Sequence, residues 1–322
     1  MKDSKGREID YLRLSVTDRC NLRCIYCMPE EGIQLVSHDD VLSVDETVRL
    51  TGIIMKSVGI RKVRITGGEP LVRKGVLDIV SGISDLFPQE LVLTTNGLLM
   101  GDMAPQLAEV GIGRVNISLD SLRDERIRRI SRRDVSLKTI ENAIASAFDA
   151  GLDPVKVNCV VLRNINDDEI AEFIRWSGKT GVTVRFIEHM PSMLSDEVFV
   201  SRDEIIESAS VLGKIVRQND IGTAGIYTPE NTGLTFGIIA PFSDPMCSSC
   251  SRIRLSARGV LYTCLAEEKG VSLIELLRSD SGDEAISKLV RKTVMRKPDS
   301  HGGCVNKQKW KIGGKYEGNV PC

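Results

Sequence analysis

Thr17-Asp-Arg-Cys20-Asn-Leu-Arg-Cys24-Ile-Tyr26-Cys27 sets three cysteines within eight residues, spaced C-x3-C-x2-C, directly after an apolar stretch that reads as a first strand. A structural zinc site wants four ligands, usually as two separated pairs. Here a fourth protein ligand is missing nearby. A [4Fe–4S] cube has four irons, so three thiolates leave one iron open to bind a small molecule. A zinc site or buried free thiols would be the plainer reading of the same residues.

Outward from this loop, the first ~190 residues alternate strand and helix. Strands are expected at residues 9–16, 62–66, 91–95, 114–119, 155–162 and 182–187. A helix opens at the capping-box pattern Ser43-Val-Asp-Glu46, and others follow Lys74, Met100, Lys138 and Asp167. Successive βα units demand parallel strands, because each crossover helix returns the chain in the same direction. Six units are fewer than the eight of a closed barrel, so the fold class expected is α/β: an open, partial (βα)6 barrel. The pattern changes after Met190-Pro191-Ser192. A helix at Ser201, short strands to Cys264 and helices at 271–277 and 283–295 suggest a smaller C-terminal α+β domain. The expected division is 1–195 and 196–322, with a loosely held tail from Lys297.

Composition narrows the class. With 322 residues, 43 Lys and Arg against 44 Asp and Glu, and 42% hydrophobic residues, the chain is a near-neutral globular protein. That argues against disorder and against a nucleic-acid coat. The arginine-rich stretch from Arg123 to Arg133 has interleaved acids and reads as a solvated helix face. No apolar run approaches the ~18 residues of a membrane span, and residues 1–10 have no apolar signal core, so a cytoplasmic location is expected. Nine cysteines in that compartment favour metal or redox chemistry over disulfides.

A second cluster, Cys247-Ser-Ser-Cys250 with Cys264, spans a hairpin. If three residues form its loop, Ser256 faces Val260, Arg254 faces Tyr262 and Arg252 faces Cys264, which returns the third thiol to the first two. Strand alternation puts Arg252 and Arg254 on one face, a pair suited to a polyphosphate. A zinc ribbon recruiting Cys304, Cys322 or His301 is the alternative. Cys159 reads as a core thiol, and His38 and His189 as structural.

The first loop resembles the signature of the radical S-adenosylmethionine superfamily. With the second cluster, the chain resembles the GTP 3′,8-cyclase family of molybdenum-cofactor biosynthesis over nearly its whole length. The residues that carry this are Arg13-Leu-Ser-Val-Thr-Asp-Arg-Cys20 through Cys27-Met-Pro, Arg64-Ile-Thr-Gly-Gly-Glu-Pro70, Asn116-Ile-Ser-Leu-Asp120, Lys156-Val-Asn158, Arg185-Phe-Ile-Glu-His-Met190, and Cys247-Ser-Ser-Cys250-Ser-Arg-Ile-Arg254 with Cys264. The resemblance implies two [4Fe–4S] clusters, on Cys20, Cys24 and Cys27 and on Cys247, Cys250 and Cys264. It implies S-adenosylmethionine contacts at Tyr26, Gly68, Ser118 and Met190. It implies GTP contacts at Arg13, Arg64, Thr95, Lys156, Arg252, Ile253 and Arg254, with guanine on the open iron of the second cluster. The implied enzyme is a lyase: a 5′-deoxyadenosyl radical takes hydrogen from C3′ of GTP, and C3′ attacks C8, giving (8S)-3′,8-cyclo-7,8-dihydroguanosine 5′-triphosphate after one further reduction. The cofactor does the difficult chemistry and the protein positions it.

The implied partners are GTP, a reductant protein and, downstream, cyclic pyranopterin monophosphate synthase; the family allows a homodimer, and neither nucleic acid nor a membrane is expected. There is no G-x4-G-K-[ST] loop, so scattered cations must hold the triphosphate. One departure stands out. Ile312-Gly313-Gly314, where such chains usually end, is followed by Lys315-Tyr-Glu-Gly-Asn-Val-Pro-Cys322, and removing that extension is expected to leave activity equal or higher. A radical peptide-modifying maturase and a non-enzymatic metal or redox module are the competing classes.

Overall fold

The computed structural model describes residues 1–32, 37, 40–190, 194–220, 222–279 and 282–300. Six parallel strands lie side by side in chain order: β1 (Tyr11–Ser15), β2 (Lys62–Thr66), β3 (Glu90–Thr95), β4 (Arg114–Ser118), β5 (Val155–Val161) and β6 (Thr183–Glu188). The crossover helices are α1 (Val44–Val58), α2 (Val76–Ser84), α3 (Met100–Glu109), α4 (Asp124–Ser131), α5 (Leu137–Asp149) and α6 (Ile170–Thr180). The capping box forms as read: the Ser43 hydroxyl accepts from the Glu46 amide at 3.1 Å, and the Glu46 carboxylate accepts from the Ser43 amide at 2.8 Å. Gly59 then ends α1 in the left-handed conformation, at φ 81°.

The C-terminal part extends this same sheet at both edges. After α7 (Arg202–Ala209), strands β7 (Ile215–Arg217), β8 (Gly225–Pro229) and β9 (Phe236–Ile239) form a meander, and β9 pairs parallel with β6. Strand β10 (Arg252–Leu255) crosses to the opposite edge and pairs parallel with β1; β11 (Val260–Tyr262) and β12 (Val271–Ser272) follow antiparallel. Eight strands, β10, β1 to β6 and β9, are thus mutually parallel in a twelve-stranded open sheet. Within the hairpin the register is the expected one: Arg254 pairs with Tyr262, and the Ser256 amide bonds Val260.

Apolar and polar residues alternate along these strands. Leu12 and Leu14, Val63 and Ile65, Val115 and Ile117, Val184 and Phe186, and Ile253 and Leu255 are buried beneath the helices. The opposite face carries Arg13, Arg64, Asn116, Lys156, Arg185 and Arg254. Parallel sheets covered on both faces usually read as unbroken apolar runs. Here the inner face is built for a polar occupant. Two short helices, α8 (Ile274–Arg278) and α9 (Gly282–Val294), close the described fold, with α9 packed on α1. A two-residue strand and α8 therefore stand where the sequence suggested one helix at 271–277. Residue 297 also departs from the sequence reading: Lys297, expected to start a loose tail, is buried. His38, His301, Cys304, Cys322 and the extension after Gly314 lie outside the described residues.

Candidate active site

Loops at the carboxyl ends of β1 to β4 meet around the first cysteine cluster. The Cys27 and Met28 amides both donate to the Cys24 carbonyl, at 2.9 and 3.0 Å, a tight turn that draws Cys24 and Cys27 together. The Leu22 amide points at Cys20 Sγ at 3.4 Å. All three thiols are half-buried and in no disulfide. Burial first, then the charges of Asp120 and Cys20, pushes the Cys24 thiol up. A thiolate at this position would need a cation or cluster to take up its charge.

Gly67 and Gly68 pack directly against the loop that carries the cysteines. A Cβ on Gly68 would lie 2.4 Å from the Arg19 carbonyl, and one on Gly67 would lie 2.7 Å from that of Thr17. The glycines allow the β2 loop to close on the loop that carries the cysteines. The Gly68 amide donates to Thr17 O and the Glu69 amide to Arg19 O, each at 2.8 Å. Glu69, buried, accepts from the Thr95 hydroxyl at 2.7 Å and from the Asn96 amide at 2.6 Å, and the Asn96 side chain donates to Asn21 at 2.7 Å. Three loops are thereby tied into one ring under the cysteines. The sequence reading missed Glu69, Asn96 and Asn21; the adjacency of Glu69 to the Gly-Gly turn was the available signal.

Tyr26 joins this ring to β4 and β5. Its hydroxyl donates to Asp120 Oδ2 at 2.7 Å, and Asp120 Oδ1 accepts from the Val160 amide at 2.8 Å. Burial raises the Asp120 carboxyl to about 6, against the pull of these two bonds. Ser118 lies at the end of β4 and Met190 just past β6, on the same rim. Glu188 faces away and is absorbed structurally: buried, it accepts from the amides of Arg202 at 2.8 Å and Phe242 at 2.9 Å.

Below the rim, the inner face is cationic. Arg13 pairs in register with Arg64 on one side and Arg254 on the other, setting three guanidinium residues abreast on adjacent strands. Like charges directly opposite are unfavourable without an anion between them. Arg64 donates to the Tyr11 hydroxyl and to Thr94 Oγ1, and Arg185 to Asn158 Oδ1 at 2.6 Å. Gly237 leaves room for Arg185, since a Cβ there would sit 2.9 Å from its Cγ. Burial, then the charges of Arg185, Arg114, Lys62 and Arg64, brings Lys156 down to about 8. Burial, then mainly Arg64, brings Arg185 to about 9. Burial alone would raise Tyr11; the charges of Arg64 and Arg13 and the bond from Arg64 outweigh it and set the phenol at about 8. Lys62 and Arg114 pair with Glu90 at the lower rim. Arg185, Tyr11 and Thr94 were not picked out from sequence. Thr95 is tied to Glu69, while Thr94 shares the inner face with Arg64. Ile253 points its side chain into the core, away from Arg252 and Arg254. The arginine-rich α4 is the charged face expected, with Arg123 and Arg126 paired to Asp168 and Arg126 also to buried Glu169.

The second cluster sits beside this face. Cys247 and Cys250 precede β10, and Cys264 follows β11; all are half-buried and in no disulfide. Burial would raise Cys250, but the charges of Arg252 and Lys297 and hydrogen bonds from Arg252 bring it to about 7. Burial pushes the Cys264 thiol up, and three thiols brought to one hairpin suit an iron–sulfur cube. Among the described residues, no three His, Cys, Asp or Glu side chains are spaced for a single metal ion.

An open parallel barrel with a three-cysteine loop on its carboxyl rim defines a radical S-adenosylmethionine protein, and residues 14–177 match the Radical SAM superfamily. Residues 182–303 match Molybdenum Cofactor Synthesis C. The chain is 42% identical to a GTP 3′,8-cyclase of Thermodesulfovibrio yellowstonii over 306 residues, covering 92% of this chain and 94% of that one. It is 40% identical to a GTP 3′,8-cyclase of Syntrophomonas wolfei over 331 residues, covering 98% and 100%. The chain belongs to the GTP 3′,8-cyclase family. Its fold is also similar to that of Streptococcus suis SuiB, with a TM-score of 0.60, 11% identity, and 87% of this chain and 68% of that chain covered.

Proposed function

We propose that this chain is a GTP 3′,8-cyclase, joining C3′ of GTP to C8 in the first step of molybdenum-cofactor biosynthesis. The observation that carries the reading is the row Arg254, Arg13 and Arg64 on adjacent strands between two three-cysteine sites. One site suits a cofactor and the other a base, with a polyanion held between.

Cys20, Cys24 and Cys27 would hold a [4Fe–4S] cube, and Tyr26, Gly68, Ser118 and Met190 would line the S-adenosylmethionine beside it. Together these supply a 5′-deoxyadenosyl radical when bound. The ring through Glu69 and Asn96 fixes the cysteine loop against β2 and β3, so the radical's origin is stationary relative to the barrel. Arg13, Arg64, Lys156, Arg185, Arg252 and Arg254 would bind the triphosphate, and Thr95 and Ile253 would contribute through backbone or indirectly. Cys247, Cys250 and Cys264 would hold the second cube, toward which guanine is directed. The proximity of Arg252 to Cys250 supports a single substrate touching both. The division at residue 195 belongs to the same reading; the two family matches meet earlier, between 177 and 182. A separate protein reductant, a homodimer and a cytoplasmic setting are further parts of it; no helix among the described residues is long and apolar enough to cross a membrane.

Anaerobic incubation with GTP, S-adenosylmethionine and dithionite tests the proposal. Cyclised triphosphate should appear together with 5′-deoxyadenosine. Deoxyadenosine formation that ignores GTP and responds to a peptide would transfer the chain to the maturases.

A further inference from the structure

Lys297 is among the most deeply buried charged residues of the chain, with 4% of its surface exposed. Lysine is rarely enclosed to that extent unless something compensates its charge. Its ammonium has three donors. One goes to the Arg252 carbonyl at 2.8 Å and one to the Thr263 carbonyl. Arg252 lies two residues after Cys250, and Thr263 immediately precedes Cys264. The side chain therefore bridges the two arms of the hairpin at the points where these cysteines leave it. Burial first pulls the Lys297 ammonium down, and the charges of Cys250 and Cys264 oppose that pull.

The backbone around Lys297 is fixed from the other side. Arg7, paired to buried Asp3 at 2.6 Å, donates to the carbonyls of Cys247 at 3.0 Å, Lys297 at 3.3 Å, Pro298 at 2.8 Å and Asp299 at 3.2 Å. One guanidinium thus joins the remaining cysteine to the segment that delivers the lysine. A core without an anionic group to neutralise would favour an apolar residue at position 297.

We propose that Lys297 is a positioning residue of the second cysteine site, bracing the arms that carry Cys250 and Cys264 and providing a fixed positive charge that raises the reduction potential of the iron–sulfur cube held there. A cube on three thiolates is anionic and gains one more negative charge on reduction, so an adjacent buried cation favours the reduced form. The inference rests on the two-cluster reading, and adds to it a residue that sets the second cluster apart electrically.

The test is an EPR-monitored redox titration of the full-length, anaerobically reconstituted protein as wild type, Lys297→Met and Lys297→Arg, with iron and sulfide counted in each. Lys297→Met should move the second cluster's midpoint to a more negative potential and leave the first unmoved, while Lys297→Arg returns it toward the wild-type value. If Lys297→Met loses the second cube, retention of that cube by Lys297→Arg at the wild-type potential supports the same role. An unmoved second midpoint in Lys297→Met with both cubes present overturns the proposal, as does Lys297→Arg behaving like Lys297→Met. Wild-type protein with iron for one cube alone would end the two-cluster reading itself, a result separate from these.

Discussion

The two cysteine sites each offer three thiols, spaced differently along the chain, and the charges beside Cys24 and beside Cys250 are of opposite sign. Around Cys24 the neighbours are apolar side chains and the buried carboxyl of Asp120, and its thiol is pushed up. Around Cys250 they are Arg252 and Lys297, and its thiol is brought down to about 7. A carboxylate near a cube disfavours adding an electron, whereas a cation favours it. On the proposed reading, a cube at the first site would be the more strongly reducing of the two. The second is suited to an easily reduced or substrate-binding centre. Equal cysteine counts do not make equal sites; the charges behind the thiols separate them.

The widest break in this comparison comes from removing one thiol in each site. Cys24→Ser should take S-adenosylmethionine cleavage and cyclised product to background together. Cys264→Ser should abolish cyclised product but retain cleavage, measured as deoxyadenosine by chromatography. Equal loss of both products in both variants would erase the functional distinction between the sites.

Next in size is the inner face that joins them. Arg185→Ala removes a half-buried guanidinium from the face proposed to bind the triphosphate, and on that proposal should raise KM for GTP by about 10- to 150-fold, the range of ~1.5–3 kcal/mol for a charged hydrogen bond. KM for S-adenosylmethionine should be nearly unchanged. Lys156 sharpens the same point through pH. Its value of about 8 means it is cationic below that pH and loses its charge above. KM for GTP should therefore rise with pH above about 8, by up to about tenfold per unit, and Lys156→Arg should flatten that limb.

The smallest expected effect is Tyr26→Phe, which deletes the donor to Asp120. The cost should be about 1–3 kcal/mol, read as a lower melting temperature in thermal unfolding, with iron content at the first site retained. A fall in iron content instead would mean that the Tyr26–Asp120 bond holds the cysteine loop itself.

The alternation of strand and helix located six strands to within about two residues at their ends, because apolar periodicity and cap chemistry are local properties. The hairpin register at Arg254 and Tyr262 was legible for the same reason: loop length sets it. The inner cations Arg13, Arg64 and Lys156 were identified by resemblance, whereas Arg185 and Tyr11 were not, although strand alternation places both on that face. Gly68 was identified by resemblance as a cofactor contact, whereas the missing Cβ atoms of Gly67 and Gly68 make room for the Thr17–Arg19 backbone, and only coordinates can show which surface fills such a space.

The amino-acid sequence by itself determined the parallel barrel units, the two three-thiol sets and the need for cations in place of a phosphate loop. Each follows from spacing along the chain or from residue chemistry. Tertiary structure decided that β10 would dock on β1 and β9 on β6, that Arg254 would stand beside Arg13, and that Lys297 would lie buried under the second cysteines. These pairings join residues as many as 290 positions apart, as Arg7 and Lys297 are. Contacts at such separation are selected by which edges and faces remain unsatisfied once the local elements have formed, and no local pattern encodes that choice.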